Sequence, residues 1–465
     1  FQYEHIYKVL NDNFVFNEEK YGLYIKDVIK ILKELERVGE TSIEIDKRKI
    51  LIDLFKSGWP EDHLKALKNS GLLNNLKSPI YFEDRKLSFI KWIKKIDKIL
   101  NIFQNKLNIE KFIEQPEKSD FKDNIEKIVY LFDLSDLVFL QGGPGTGKST
   151  IIIKLIQYYL NKKNLINIGI GAPTGKASAR LKEALECENQ FLFKNGLENI
   201  ECQTLHRWIY NSSNKKGKLK FKLKELDLFV IDEMSMVNID LIESILELLA
   251  NDCKILLVGD ANQLPPINNC SIWNHIFSNI KINIFKKFTI NLTEVYRNNG
   301  DIEALSKLIF QKDEYLFNAK IQNIIETKGD SNIKIINTSN NKIIPKELIN
   351  DINVYIHYLK KSTIELSKKK YIFKSSEDNL LEIEEKIISE IFENLNSHLI
   401  LCEKNTGTWS VQEINKVIIN QSEPYDFLTL EEGLPIMCTE NNNELGISNG
   451  DIGVVIGKGN LRKFL

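Results

Sequence analysis

Gly142, Gly143, Pro144, Gly145, Thr146, Gly147, Lys148 and Ser149, followed by Thr150, complete the pattern G-x-x-x-x-G-K-S. Glycines at these positions let consecutive backbone N–H groups turn inward around phosphate oxygens, while a lysine at this spacing reaches the β and γ phosphates. The Ser149 hydroxyl suits one position in the coordination shell of Mg²⁺. The flanks favour a nucleoside triphosphate site over a glycine-rich turn that binds nothing: an apolar run over 137–140 precedes the loop, and a helix-like segment over 151–160 follows it.

Asp232 and Glu233 follow a second apolar run over 228–231. An acidic pair at the end of a buried strand, downstream of a phosphate loop, looks like a Walker B motif. Asp232 then holds Mg²⁺ and Glu233 orients and deprotonates the attacking water, since phosphoryl transfer depends mainly on positioning and charge stabilisation. A third run over 255–258 delivers Gly259-Asp260-Ala261-Asn262-Gln263. The Gln263 amide could bond a γ-phosphate oxygen or the water and report hydrolysis; the alternative is a capped turn before Pro265-Pro266. Arg297, at the end of Leu292-Thr293-Glu294-Val295-Tyr296-Arg297, offers a fixed bidentate charge for the γ-phosphate. Two other segments have no evident phosphate chemistry: Ala172 to Leu181, with Thr174, Lys176 and Arg180, and Thr204-Leu205-His206-Arg207-Trp208. Hydroxyls and cations at strand ends suit the backbone of single-stranded nucleic acid, with His206 or Trp208 available for stacking. Their competing reading is ordinary helix, with Trp208 filling the core.

Each motif follows a short apolar strand, which puts the candidate residues at the carboxyl ends of parallel strands, where open sheets bind ligands. Strand and helix alternate from 137 onward, so a doubly wound α/β domain is expected. Residues from about 20 to 115 carry helical periodicity (Ile25, Val28, Ile29, Leu32, Leu35) and no catalytic signature, and are expected to form a small helical domain. Between 310 and 395 the chain is polar and rich in Asn and Lys, with a helical stretch near 380–395. A strand is expected over 399–402, and a glycine-rich, strand-like tail from 433.

The chain of 465 residues is 43% hydrophobic, ample for two or three packed domains. A net charge of −1 gives no global basic signal, so any nucleic-acid contact must be local. Lysine clusters such as Lys368-Lys369-Lys370 read as solvated surface, whereas arginine is scarce and three of its seven copies fall among the motifs. Six scattered cysteines without a C-x-x-C pair point to a reducing cytosol and away from a disulfide frame or zinc site. With no membrane-length apolar run and no signal-peptide pattern, a cytoplasmic protein is expected. The first residue is Phe1 rather than Met, which reads as a fragment or a processed product.

Taken in order, GGPGTGKS, APTGKASARL, TLHRW, DEMSM, GDANQLPP and LTEVYR resemble motifs I, Ia, Ib, II, III and IV of superfamily 1 DNA helicases. The resemblance is strongest to the RecD family, the alpha subunits of exodeoxyribonuclease V. It extends to the N-terminal region, to Val411-Gln412-Glu413-Ile414-Asn415 and to the segment from Glu444 to Gly453. It implies a RecA-like P-loop motor core, an α-helical N-terminal docking domain (1–115) set on RecC, a first motor domain (116–305), and a second (306–465) with the start of a small SH3-like β insertion from about 433. It also implies a 5′→3′ motor on single-stranded DNA, driven by ATP and Mg²⁺ and working with RecB and RecC in double-strand-break repair. Motifs V and VI, which follow the N-G-D-I-G segment in that family, are not found before Leu465, so the second motor domain is expected to be incomplete. No glutamine lies between Pro116 and Leu140, where related helicases read adenine. A stand-alone helicase is the first alternative, although residues 1–115 lack the helix-hairpin-helix repeats expected of one. A non-catalytic remnant that binds DNA or RecC is the second.

Overall fold

In a computed structural model of the chain, the described residues are 2–14, 16–37, 40–45, 58–73, 77–107, 121, 123–162, 166–192, 199–214, 220–264, 266, 271–278, 283–294, 300–311, 313–327, 333–336, 344–368, 382–419, 430–440, 447, 450–457 and 463–464. They form two compact units, Phe1–Asn299 and Gly300–Leu465.

The first unit opens with helices α1 (Gln2–Asn13) and α2 (Glu18–Arg37), strand β1 (Ser42–Glu44), helix α3 (Glu61–Asn69), strands β2 (Ile80–Glu83) and β3 (Lys86–Phe89), and helix α4 (Ile90–Lys106). The helical expectation for this region is incomplete, because the three strands pair antiparallel in the order β1-β3-β2. These strands are three or four residues long, too short for a period-two pattern to stand out against the helical period of their flanks.

Helix α5 (Asn124–Leu134), capped by the Asp123 carboxylate, leads into the α/β core. There follow β4 (Leu137–Gly142), α6 (Lys148–Lys162), β5 (Ile168–Ala172), α7 (Gly175–Leu192), β6 (Ile200–Thr204), α8 (Leu205–Ser213), β7 (Leu228–Ile231), α9 (Ile239–Leu248), β8 (Lys254–Gly259), α10 (Ile272–Ser278), α11 (Asn283–Lys287) and β9 (Thr289–Leu292). Six parallel strands line up as β6-β5-β7-β8-β4-β9. The central strands are apolar throughout because helices cover both faces; the edge strand β6, with Glu201 and Gln203, is only half-buried. This is the doubly wound domain expected.

The core of this sheet is continuous with that of the N-terminal region. On α4 the buried residues Trp92, Ile96, Ile99 and Phe103 recur at spacings of four, three and four, a single helical face. Phe103 at its end meets Phe139 of β4 and Phe285 of α11, with ring centroids 6.0 and 6.3 Å apart. Residues 116–305 therefore do not build their core alone.

The second unit contains α12 (Asp301–Gln311), α13 (Glu314–Glu326), α14 (Lys346–Ser367), α15 (Glu382–Ser397) and α16 (Val411–Ile419), then β10 (Pro435–Met437), β11 (Ile452–Ile456) and β12 (Lys463–Phe464). Leu366, Ile387, Ile391, Val454 and Ile456 form a core that joins α14 and α15 to β11. The three strands pair antiparallel in chain order, where the β-rich insertion was expected to begin. Residues 399–402, expected as a strand, pair with none of the described strands, and Leu399 and Leu401 are exposed. Without a ladder partner, an apolar run does not become a strand.

Candidate functional site

Strand register brings the motifs to one edge of the sheet. Gly142 of β4 pairs with Leu292 of β9, and Gln141 with Gly259 of β8. Across the other neighbours, Leu257 pairs with Ile231, Ile231 with Gly171, and Ala172 with Thr204. The carboxyl ends of all six strands thus lie together. The phosphate-loop strand β4 is separated from the acidic-pair strand β7 by β8, so the turn carrying Gln263 leaves the sheet between them.

The loop is shaped by its own residues. Gly145 and Gly147 have φ of 76° and 84°, conformations that favour glycine. A Cβ at Gly142 would sit 2.5 Å from the Thr146 hydroxyl and 3.0 Å from Leu292, so any side chain there would displace the Thr146 hydroxyl. The buried Thr146 hydroxyl donates to the Gly143 carbonyl at 2.8 Å, and Lys148 Nζ donates to the carbonyls of Gly142 and Gly143 at 2.7 and 3.0 Å. Lys148 and Ser149 open α6, whose free N–H groups and dipole favour an anion. Pro144 and Thr150 are exposed at the rim.

Asp232 is buried, and its main-chain N–H donates to the Gly171 carbonyl at 2.9 Å. Burial, then the neighbouring Glu233 carboxylate, pushes the Asp232 carboxyl up to about 6, against the pull of the Glu233 N–H, Lys148 and Arg180. Lys148 is therefore close enough to Asp232 to act on its charge, which ties the phosphate loop to the acidic pair. Glu233 is left-handed (φ 53°), and its buried Oε2 has no hydrogen-bond partner among the described residues. Next in the same edge, buried Asp260 accepts from the Asn262 N–H at 3.0 Å through Oδ1, while its carbonyl accepts from the Gln263 N–H at 3.2 Å. This turn presents a half-buried Gln263. Arg297 lies outside the described residues, which stop at Glu294 after β9. Among the described residues no group of three or more His, Cys, Asp or Glu could hold a metal ion. The donor set of one serine hydroxyl and one carboxylate suits Mg²⁺, which completes its shell with phosphates and water.

The other two motifs flank this edge. Thr174 and Thr204 cap helices: Thr174 Oγ1 accepts from the Ala177 N–H at 3.2 Å and Thr204 Oγ1 from the Arg207 N–H at 3.4 Å. Lys176, Arg180, His206 and Arg207 are exposed. Trp208 corrects the stacking expectation: it is fully buried, donates through Nε1 to the Ile170 carbonyl at 2.9 Å, and packs on Phe229. The aromatic ring exposed on α8 is instead Tyr210, at 67% exposure, one helical turn after His206. The i, i+4 spacing to His206 was the signal in the sequence that could have singled it out.

The fold and this site define a P-loop nucleoside triphosphatase domain of RecA-like topology, and a family model described as an AAA domain matches residues 127–269. The chain is 32% identical over 365 residues to the RecBCD enzyme subunit RecD of Buchnera aphidicola subsp. Schizaphis graminum, covering 72% of this chain and 59% of that protein. It is 30% identical over 476 residues to the RecD subunit of Buchnera aphidicola subsp. Acyrthosiphon pisum, covering 89% of this chain and 73% of that protein. The chain belongs to the RecD family, and spans between about three fifths and three quarters of the length of these two relatives. Among solved structures it is similar to the Pif1 helicase from Candida albicans, at 19% identity over 72% of this chain and 69% of that one. The TM-score of 0.30 is too low to bear on the fold.

Proposed function

We propose that this chain is an ATP-driven 5′→3′ DNA helicase subunit that works on single-stranded DNA with RecB and RecC in a cytoplasmic complex for double-strand-break repair. The observation that carries the reading is the buried Glu233 carboxylate oxygen, without a hydrogen-bond partner among the described residues, next to Asp232 and with only strand β8 between its strand and that of the phosphate loop. Such an oxygen can accept a proton from water. The loop from Gly142 to Thr150 cradles the triphosphate; Lys148 turns from the Gly142 and Gly143 carbonyls to the phosphates, and Arg297 adds charge to the transferring group. Ser149 and Asp232 would hold Mg²⁺, which when bound would supply charge neutralisation on the phosphates. Gln263 senses the γ-phosphate from its turn. Thr174, Lys176, Arg180, Thr204, His206 and Arg207 contact the DNA backbone, with Tyr210 as a stacking surface. The N-terminal region from 1 to about 115 supplies the surface that docks on RecC.

Lys148→Ala tests the reading. It removes a phosphate contact and no core packing, so ATP turnover should be lost while capture by RecC is kept. Turnover near that of wild type would refute the site. For the DNA face, oligothymidine affinity should fall with salt, and Arg207→Ala should flatten that slope. Identical slopes would return Arg207 to a structural role.

A further inference from the structure

Helix α4 runs beside α9 in parallel, and its lysines follow α9 from end to end. Lys95 pairs with Asp240 and, at 3.3 Å, with Glu243; Lys98 pairs with Glu243 at 3.0 Å and with Glu247. Lys106 donates to the carbonyls of Asn251 and Cys253 at 2.9 and 3.0 Å. The sequence offset across these hydrogen bonds stays between 145 and 149, so the two helices keep register over the whole ladder. Isolated surface pairs contribute little, but Glu243 is largely buried and serves both lysines, which makes this a network. Lys106 is itself partly buried, and the carbonyls it grips belong to the turn that follows α9 and leads into β8.

What α9 connects gives the ladder its meaning. On one side, Glu233 leads into α9 through a tight turn in which the Met236 N–H bonds the Glu233 carbonyl at 2.9 Å and the Asn238 carboxamide caps the helix. On the other, the turn gripped by Lys106 feeds β8, whose far end is Gly259 with the Gln263 turn beyond it. Helix α4 also fixes the opposite edge of the sheet: the Asp136 N–H bonds the Lys106 carbonyl at 3.0 Å, and the Asp136 carbonyl accepts from Ile255 of β8 at 2.8 Å. The segment between the acidic pair and the Gln263 strand is thus held along its length by one N-terminal helix.

We propose that Lys95 and Lys98, acting through α9, and Lys106, acting through the turn between α9 and β8, are positioning residues for hydrolysis: they set Glu233 against the Gln263 turn, which joins the N-terminal region to the chemistry of the nucleotide site. This rests on that site being a working ATPase, and the test separates the two claims. In the full chain, Lys95→Gln with Lys98→Glu reverses the charge at 98 and leaves no like charge against Asp240, Glu243→Lys with Glu247→Lys reverses the other side, and the quadruple variant restores opposite charges between position 98 and positions 243 and 247. Folding is read by thermal melting, nucleotide affinity by calorimetry, turnover with oligothymidine, and mobility by amide hydrogen exchange over 232–238 and 259–263. Each double variant should bind ATP as wild type does but lose about two- to thirtyfold in kcat, the range of coupling energies carried by such contacts, with KM little changed. Exchange should rise over 232–238, and the quadruple variant should recover both properties. A folded double variant with unchanged kcat and unchanged exchange overturns the proposal, as does a loss the quadruple variant does not recover. If the wild-type chain binds ATP without turning it over, the hydrolysis reading fails and the exchange comparison still decides the positioning role. Should the double reversals not fold, Lys98→Gln at its half-exposed position carries the same comparison.

Discussion

The main-chain N–H of Glu233 donates to the Asp232 carboxylate at 2.9 Å, within a residue whose own backbone is left-handed. A non-glycine residue in that region costs about 1–3 kcal/mol and persists only where the surroundings impose it. Here it separates two adjacent acids into two environments. Asp232 is hydrogen-bonded and lies within the field of Lys148, whereas Glu233 retains a buried oxygen with no partner among the described residues.

Trp208 and Tyr210 should behave oppositely. Trp208→Ala empties a fully buried site and should cost about 3–5 kcal/mol in urea unfolding. Tyr210→Ala should leave stability within about 0.5 kcal/mol and weaken oligothymidine binding by about 1–3 kcal/mol, as loss of a stacking ring does. Unchanged DNA affinity in Tyr210→Ala would remove that ring from the interface.

Glu36 gives the N-terminal region a pH dependence. Burial opposes its charge, but hydrogen bonds from Lys33, Lys91 and the Trp92 indole N–H at 2.7 Å outweigh burial and hold its carboxyl below the ordinary glutamate value. A depressed folded-state value means the stabilisation is complete above the unfolded value and fades as pH falls through the folded one. Glu36→Gln should therefore lower the urea midpoint at pH 7, with the gap to wild type closing as pH falls below the ordinary glutamate range. A gap independent of pH would show that the charge is not what matters.

Deleting residues 1–115 should unfold the α/β core that follows them in the same compact unit rather than merely undock it. The deletion removes Phe103 from Phe139 and Phe285 and uncovers the apolar surface beneath α4. Circular dichroism and nucleotide binding of the shortened chain check this; a stable, ATP-binding product would contradict it.

The gathering of the motifs at one edge of the sheet was legible in the sequence because parallel strands buried on both faces read as continuous apolar runs, and each run ended in its motif. The role of α4 was not legible, since its apolar spacing fits any amphipathic helix and its lysines look like solvated surface until α9 lies beside them. Trp208 stayed open between stacking surface and core filler for a related reason, and Tyr210 drew no notice: both are aromatic residues on one short helix, and only the packing of α8 on β5 decides which is buried. Residues 399–402 show the limit from the other side, an apolar run that finds no strand partner among the described residues.

Glu233→Gln tests the central claim most directly, because it keeps the shape of the site and removes only the proton acceptor. ATP affinity by calorimetry should stay within a few-fold of wild type, while DNA-stimulated turnover should fall by about 10²–10⁴. Turnover retained in that variant would mean that the acidic pair beside the phosphate loop is not the hydrolytic centre.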